Sequence, residues 1–268
     1  MSKSSAQRKL DRGIEQANGL YEEVRAYEAS RAYELNTTRQ RRSAEEVFCV
    51  SLAVEREPPS DEWPLVLGEI VHNLRSSLDH VIYAQARPQS TRTQFPIFID
   101  RDEFQDKGLP RLHGVPAAVK ATVESLQPFN VTPQAPRRDW LWVLHDLCNL
   151  DKHRTLTTVA TGVAVPYIGY EGPNTATLVT DWVDPSEPLR DRTRVVSFTV
   201  AGPGAEDVAT EPGFSYYVTV EGLPLRATLG KIVQAAFEAV HRCETGKALS
   251  DESFNVWLGL PLWRTTDK

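Results

Sequence analysis

The most constraining feature of this sequence is an amphipathic period that runs through residues 65–85. At about 100° per residue, one side of the predicted helix carries the apolar residues Leu67, Ile70, Val71, Leu74, Leu78, Val81 and Ile82. The other side carries Glu69, His72, Asn73, Ser76, Asp79 and His80, with Arg75 at its edge. The period predicts a buried apolar face, and the polar face lacks the lysines typical of solvated helices.

A second helix with an unusual polar face is predicted at about 139–154. Its apolar side is formed by Trp140, Val143, Leu144, Leu147 and Leu150. Its polar side carries His145, Asn149, Lys152 and His153, with Asp146 at the margin. Because both helices present two histidines beside asparagine and cationic residues, we expect the two polar faces to line one shared cleft.

The remaining patterns indicate an α+β fold, a helical bundle core with an antiparallel β meander inserted before the last helix. Helical spacing predicts further helices at 5–36, near 115–126 and at 226–244, and the alternation in VFCVSLAV (47–54) predicts a strand. The β-branched and aromatic runs of the meander are TLTTVATGVAV, TATLVTDWV, RVVSFTV and FSYYVTVEG. The expected divisions are a helical domain at 1–154, the meander packed on it at 155–222, and a C-terminal helix and packed tail at 223–268, all in one compact unit.

Composition restricts the classes of partner. The net charge of −6 argues against a broad, non-specific nucleic-acid surface, although a local cationic patch remains compatible with it. The three cysteines are widely separated, the N-terminal residues lack the apolar core of a signal peptide, and no apolar run approaches a membrane span. We therefore expect a soluble cytoplasmic protein that does not associate with a membrane.

The two polar faces suit phosphoryl transfer on RNA without a metal. A histidine can take a proton from a ribose 2′-hydroxyl or give one to the leaving oxygen. Arg75 can hold the phosphate, and Asp79 can orient an imidazole or form an i, i+4 pair with Arg75. The alternatives are an ordinary solvated face, a site for a small anionic ligand, or the buried polar seam of a homodimer.

The sequence signals for a metal site, for a cysteine nucleophile and for base stacking are weaker. His145, Asn149 and His153 step by four, but asparagine is a poor ligand and no H-E-x-x-H motif is present, so no metal and no cofactor are expected. Cys148 falls towards the apolar flank, where packing is its expected role. Trp142 lies near the polar face and can stack a base, although core or interface packing is the default expectation.

Four segments of the sequence resemble a widespread family of uncharacterised bacterial proteins. In order along the chain, they are LGEIVHNLRSSLDHVIYAQA, TQFPIF, LQPF and LCNLDKHR. The resemblance covers roughly 63–156, with Glu69 where that family's pattern has Asp. This family has no established function, so the resemblance implies no chemistry by itself.

Arg75 and His80 also resemble the motif of the HEPN superfamily of helical ribonucleases. Four residues separate the two, and the polar Ser76 follows the arginine, as is common in that motif. That resemblance implies metal-independent cleavage of RNA in a toxin, defence or RNA-processing setting, with two motifs meeting in a homodimer. His80 would be the acid–base group and Arg75 the phosphate holder. The β meander departs from a minimal HEPN bundle.

These observations together predict a possible ribonuclease with RNA as its partner and a homodimer as its assembly. The candidate catalytic residues are Arg75, His80, His72 and Asp79. The candidate substrate-binding residues are Asn73, His145, Asn149, Lys152 and His153. The alternative is a non-catalytic binding or dimerisation module built on the same polar cleft.

Overall fold

The computed structural model of the chain describes residues 3–42, 45–162, 167–171, 187–201, 209–213 and 215–249. These residues combine helices with small antiparallel sheets, which confirms the α+β class. The chain divides into two compact units, whereas the sequence analysis expected one. The described residues of Met1–Glu23, Asp61–Leu156 and Arg226–Lys268 form unit 1, and those of Val24–Ser60 and Thr157–Leu225 form unit 2.

The α-helices are α1 (Ser5–Ala29), α2 (Glu62–Gln85), α3 (Arg101–Glu103), α4 (Ala117–Ser125), α5 (Pro128–Val131), α6 (Trp140–His153) and α7 (Leu225–Thr245). A π-helix at Phe104–Gly108 and 3-10 helices at Leu109–Leu112 and Pro136–Arg138 lie between them. The helices predicted at 65–85, 115–126, 139–154 and 226–244 are confirmed within a few residues.

The predicted helix at 5–36 is wrong in its last part, because α1 ends at Ala29 and Tyr33–Arg42 forms strand β1. This strand pairs antiparallel with β2 (Glu45–Val54) in a register from Tyr33 opposite Val54 to Arg42 opposite Glu45. Pairing with β2 satisfies backbone groups that a continued helix would have bonded within itself, so tertiary context overrides the local period.

The other strands are β3 (Thr158–Gly162), β4 (Tyr167–Glu171), β5 (Arg194–Ala201), β6 (Ala209–Gly213), β7 (Tyr216–Val220) and β8 (Leu223–Pro224). The described strands form sheets of order β1-β2-β5, β3-β7-β8 and β4-β6. A meander would pair strands that are consecutive in sequence, so the predicted meander is wrong in its connectivity. The predicted strand in TATLVTDWV and the predicted packing of the tail lie outside the described residues.

The strand predicted at 47–54 is β2, and it lies in unit 2 rather than with the helices of 1–154. Its alternate residues face the core of that unit, where the ring of Phe48 stacks on that of Phe198 in β5 with centroids 4.9 Å apart. The pairing of β2 with β5 crosses more than 140 residues of sequence, which local alternation cannot reveal.

Helices α2 and α6 form the part of unit 1 that positions the candidate site. The apolar face of α2 is confirmed, since Leu67, Ile70, Val71, Leu74, Leu78, Val81 and Ile82 are all buried. Asp139 precedes α6, and its carboxylate accepts a hydrogen bond from the backbone N–H of Leu141 at 2.9 Å. This cap starts α6 at a defined residue and orients its polar face.

None of the helices in the described ranges is both long and apolar enough to cross a membrane.

Candidate functional site

Helices α2 and α6 approach each other closely near the start of α2. Gly68 of α2 faces Asp151 of α6 so closely that a β-carbon at Gly68 would lie 2.6 Å from Asp151 Oδ1. Only a residue without a side chain allows the carboxylate to reach the backbone of α2 at this point. Neither Gly68 nor Asp151 belongs to the polar faces predicted from the sequence, so this approach joins the two helices beside those faces.

His72 is held at this contact through both of its ring nitrogens. Its Nε2 lies 3.2 Å from Asp151 Oδ2, and its Nδ1 lies 3.6 Å from Cys148 Sγ. Because a carboxylate only accepts, Nε2 carries a proton, and Nδ1 is in hydrogen-bond contact with the thiol. The side chain is 45% exposed, but neither nitrogen is free for a substrate, so this geometry does not favour the predicted catalytic role of His72.

Cys148 is 2% exposed, and burial raises the pKa of its thiol. The raised pKa disfavours the thiolate form that a nucleophile needs, and the thiol is in hydrogen-bond contact with His72. The sequence prediction that Cys148 is a packing residue is thus confirmed by its burial.

Arg75 and Asp79 pair across one turn of α2, as predicted. Arg75 Nη1 donates to Asp79 Oδ1 at 2.7 Å, and Arg75 Nη2 donates to the carbonyl oxygen of Phe95 at 2.8 Å. Asp79 Oδ1 in turn accepts from the backbone N–H of Phe95 at 2.9 Å. Since the Arg75 side chain is only 11% exposed, the pair holds the TQFPIF segment more directly than it offers a guanidinium to a phosphate.

The segment is fixed from its other side by Gln127, which is fully buried. Its Nε2 donates to the carbonyl oxygens of Pro96 and Val123 at 2.8 and 3.0 Å, and its Oε1 accepts from Phe98 N–H at 3.0 Å. Three of the four segments that resemble the bacterial family, those containing Arg75, Phe95 and Gln127, are therefore joined by hydrogen bonds. Their shared role is to fix the loop after α2 against the helices.

His145 lies at the centre of the cationic part of the site. Asn149 Nδ2 lies 2.9 Å from His145 Nε2, and Lys152 Nζ donates to Asn149 Oδ1 at 3.2 Å. Because the lysine fixes the orientation of the amide, Nδ2 is the donor to Nε2, and the neutral imidazole carries its proton on Nδ1.

Burial, and after it the positive charges of Arg75, Lys152 and Arg111 in that order, lower the pKa of His145 to about 4. The imidazole is therefore neutral at pH 7 among three cations. This arrangement is favourable for an anion, because a bound negative charge would offset the charges of Lys152 and Arg111, whereas Arg75 is already paired with Asp79.

Asn73 belongs to a different neighbourhood, because its side chain contacts α1. Asn73 Nδ2 donates to Gln16 Oε1 at 2.9 Å, and Lys9 Nζ donates to Asn73 Oδ1 at 3.2 Å. Gln16 also bonds to Glu69. The expected grouping of Asn73 with the residues of α6 is therefore not observed.

His80 and His153 have no hydrogen-bond partner among the described residues. His80 is partly exposed on α2, and His153 is exposed at the last residue of α6. His80 is thus an imidazole that a substrate could contact, whereas its motif partner Arg75 is already engaged.

Three residues of this site escaped the sequence analysis: Gly68, Asp151 and Arg111. A glycine inside a helical period usually has a packing reason, and this signal could have revealed the approach at Gly68. Asp151 and Arg111 carried no such signal, since their roles depend on contacts with other elements.

Within the described ranges, no group of three or more histidine, cysteine, aspartate and glutamate side chains is placed to hold a metal ion. In comparisons with known proteins, no family model, no curated protein and no solved structure matches the chain.

Proposed function

We propose that the cationic cluster around His145 binds a phosphate group of RNA and that the protein is a metal-independent ribonuclease. One observation carries the proposal, namely the chain of hydrogen bonds from Lys152 through Asn149 to His145, whose pKa the charges of Arg75 and Arg111 also lower, in a protein of net charge −6. Phosphate groups provide most of the affinity of proteins for RNA, and their binding needs local cations rather than a basic chain.

His80 is the acid–base group in this proposal. It accepts the proton of a ribose 2′-hydroxyl, the 2′ oxygen forms a bond to phosphorus, and the bond from phosphorus to the 5′ oxygen breaks. The departing 5′ oxygen takes a proton from solvent, and the products carry a 2′,3′-cyclic phosphate and a 5′-hydroxyl. Lys152 and Arg111 offset the charge that builds on the phosphate oxygens.

Arg75 supports this chemistry from a distance in the proposal. Its terminal nitrogens are bonded to Asp79 and to the backbone of Phe95, so its positive charge contributes to the potential at His145 without a direct grip on substrate. In this respect the proposed site differs from the role that the HEPN motif implies for the arginine.

A second candidate function is a non-catalytic binding or dimerisation module. The engagement of Arg75 with Asp79 and Phe95 favours it, because a satisfied and nearly buried arginine is typical of a structural network. A homodimer belongs to either candidate, and light scattering of the purified protein tests that assembly.

Incubation of labelled RNA with the purified protein in excess EDTA tests the ribonuclease proposal. We expect cleavage with 2′,3′-cyclic phosphate ends, loss of cleavage by about 100-fold or more in His80→Ala, and weakened RNA binding in Lys152→Met. His113→Ala is the matched control, since His113 is also an exposed histidine.

Two outcomes would redirect the proposal. RNA binding that depends on Lys152 without any cleavage by the folded protein would establish the second candidate. Equal cleavage by the native protein and His80→Ala would assign the activity to another group or to a contaminant.

A further inference from the structure

Trp142 lies beside the cationic cluster on the same helix. Its ring centroid is 5.4 Å from that of His145, one turn later in α6, and the two rings are inclined by 50°. The side chain is partly exposed, and its indole N–H has no hydrogen-bond partner among the described residues. Of the two default expectations for this residue, core or interface packing, full burial in the core is not observed.

Arg137 covers the ring of Trp142 from the preceding 3-10 helix. Its guanidinium carbon lies 5.7 Å from the ring centroid, an arrangement typical of a cation–π contact. Arg137 is exposed and forms no hydrogen bond or ion pair with the rest of the described chain. A planar group that enters between the guanidinium and the indole would therefore replace this cation–π contact and break no hydrogen bond or ion pair of Arg137.

We propose that Trp142 and Arg137 form a stacking site for one nucleobase next to the phosphate-binding cluster, so that the ligand is a nucleotide unit of single-stranded RNA. The inference rests on the proposed phosphate site and adds the recognition of a base to it. Trp142 stands next to His145, which the charges of Lys152 and Arg111 also reach. A base on the indole thus has its own phosphate or the next one beside the cations.

The chemistry of the platform predicts tolerance of base identity. Every base has a π face, and a stacking contact reads no hydrogen-bond pattern, so single strands are bound with little sequence preference. A duplex keeps its bases stacked on each other and cannot place one on Trp142.

Calorimetric titration with adenosine 5′-monophosphate, ribose 5-phosphate and inorganic phosphate separates the base from the phosphate. We expect the nucleotide to bind about tenfold more tightly than ribose 5-phosphate, a gain within the range that one stacked base contributes. Trp142→Leu should remove this difference and leave the affinity for ribose 5-phosphate unchanged. Trp142→Phe, which keeps an aromatic ring, should retain most of it.

Two further variants complete the design. Tyr83→Leu removes another exposed aromatic residue, from α2, and should change none of the affinities. Lys152→Met should weaken the binding of all three ligands, because it acts on the phosphate.

The failures are distinguishable. Equal affinity of the native protein for the nucleotide and for ribose 5-phosphate, or an equal loss of both in Trp142→Leu, would overturn the platform and leave the phosphate site intact. No binding of any of the three ligands by the folded protein would overturn the phosphate site and the platform together.

Discussion

Arg75 and Asp79, one turn apart on α2, hold opposite ends of the same residue, Phe95. The arginine donates to the carbonyl oxygen of Phe95 at 2.8 Å, and the aspartate accepts from its N–H at 2.9 Å. The two side chains also bond to each other at 2.7 Å, so each fixes the other in place. The arginine of a motif that resembles a catalytic one therefore has a structural task in this chain.

The first prediction concerns this pair. Arg75→Met should lower the free energy of unfolding by about 2–3 kcal/mol, because it leaves the carbonyl group of Phe95 without the guanidinium donor and the carboxylate of Asp79 without its cation. Urea denaturation followed by circular dichroism measures the change. His80→Ala, on the same helix but without a partner in the described chain, should stay within about 0.5 kcal/mol of the native protein.

A loss in Arg75→Met no larger than that in His80→Ala would contradict the structural role of the arginine. A double-mutant cycle with Asp79→Asn would then show whether the two residues interact at all.

The second prediction concerns the approach of α6 to Gly68. Gly68→Ala should destabilise the protein by about 1–3 kcal/mol, because the added β-carbon would lie 2.6 Å from Asp151 Oδ1 and must displace the carboxylate from His72. The matched control is Gly19→Ala in α1, where nothing lies within 4 Å of the added carbon. That control should stabilise the protein by up to about 1 kcal/mol, since alanine is the better helix former.

Thermal unfolding of the two variants beside the native protein measures both effects. Opposite shifts of the midpoint are the expected result, and equal shifts would show that the contact between Gly68 and Asp151 does not form.

The third prediction concerns Gln127. Gln127→Leu should cost about 2–5 kcal/mol, because it leaves the carbonyl oxygen of Pro96 and the N–H of Phe98 without the partner that Gln127 provides and removes one of the two donors to the carbonyl oxygen of Val123. Gln134→Leu is the control, since Gln134 is an exposed glutamine nearby in sequence. Amide hydrogen exchange of Phe98 should accelerate in the first variant and stay unchanged in the second.

The fourth prediction concerns the pH dependence of His145. Its folded-state pKa of about 4 lies below the ordinary value of 6.5, so the folded protein favours the neutral imidazole. The corresponding stability is fully present above pH 6.5 and is lost as the pH falls from 6.5 towards 4. Because the side chain is not fully buried, the loss should be about 1–3 kcal/mol.

Unfolding free energies measured across this range in the native protein and in His145→Gln test the prediction. The variant should lack this component of the pH dependence. In the native protein, inorganic phosphate should raise the pKa of His145 as followed by the NMR signal of its ring, and an unchanged pKa at saturating phosphate would contradict an anion site there.

The amphipathic periods of α2, α6 and α7 were enough to predict these helices, because one apolar face in each is long and regular. The regular alternation of apolar residues at 47–54 likewise predicted strand β2. The pair formed by Arg75 and Asp79 also followed from sequence, since residues four apart on a helix are neighbours.

Only the tertiary structure decided what those side chains contact. Strand β1 forms by pairing with β2. Strand β5 also pairs with β2 and not with the described strands next to it in sequence. Asn73 contacts α1, Arg75 contacts Phe95, and His72 contacts Asp151, although the three residues lie on or at the edge of the polar face of one helix. Helical spacing specifies the direction of a side chain on its own element, and the partner it meets depends on elements that are distant in sequence.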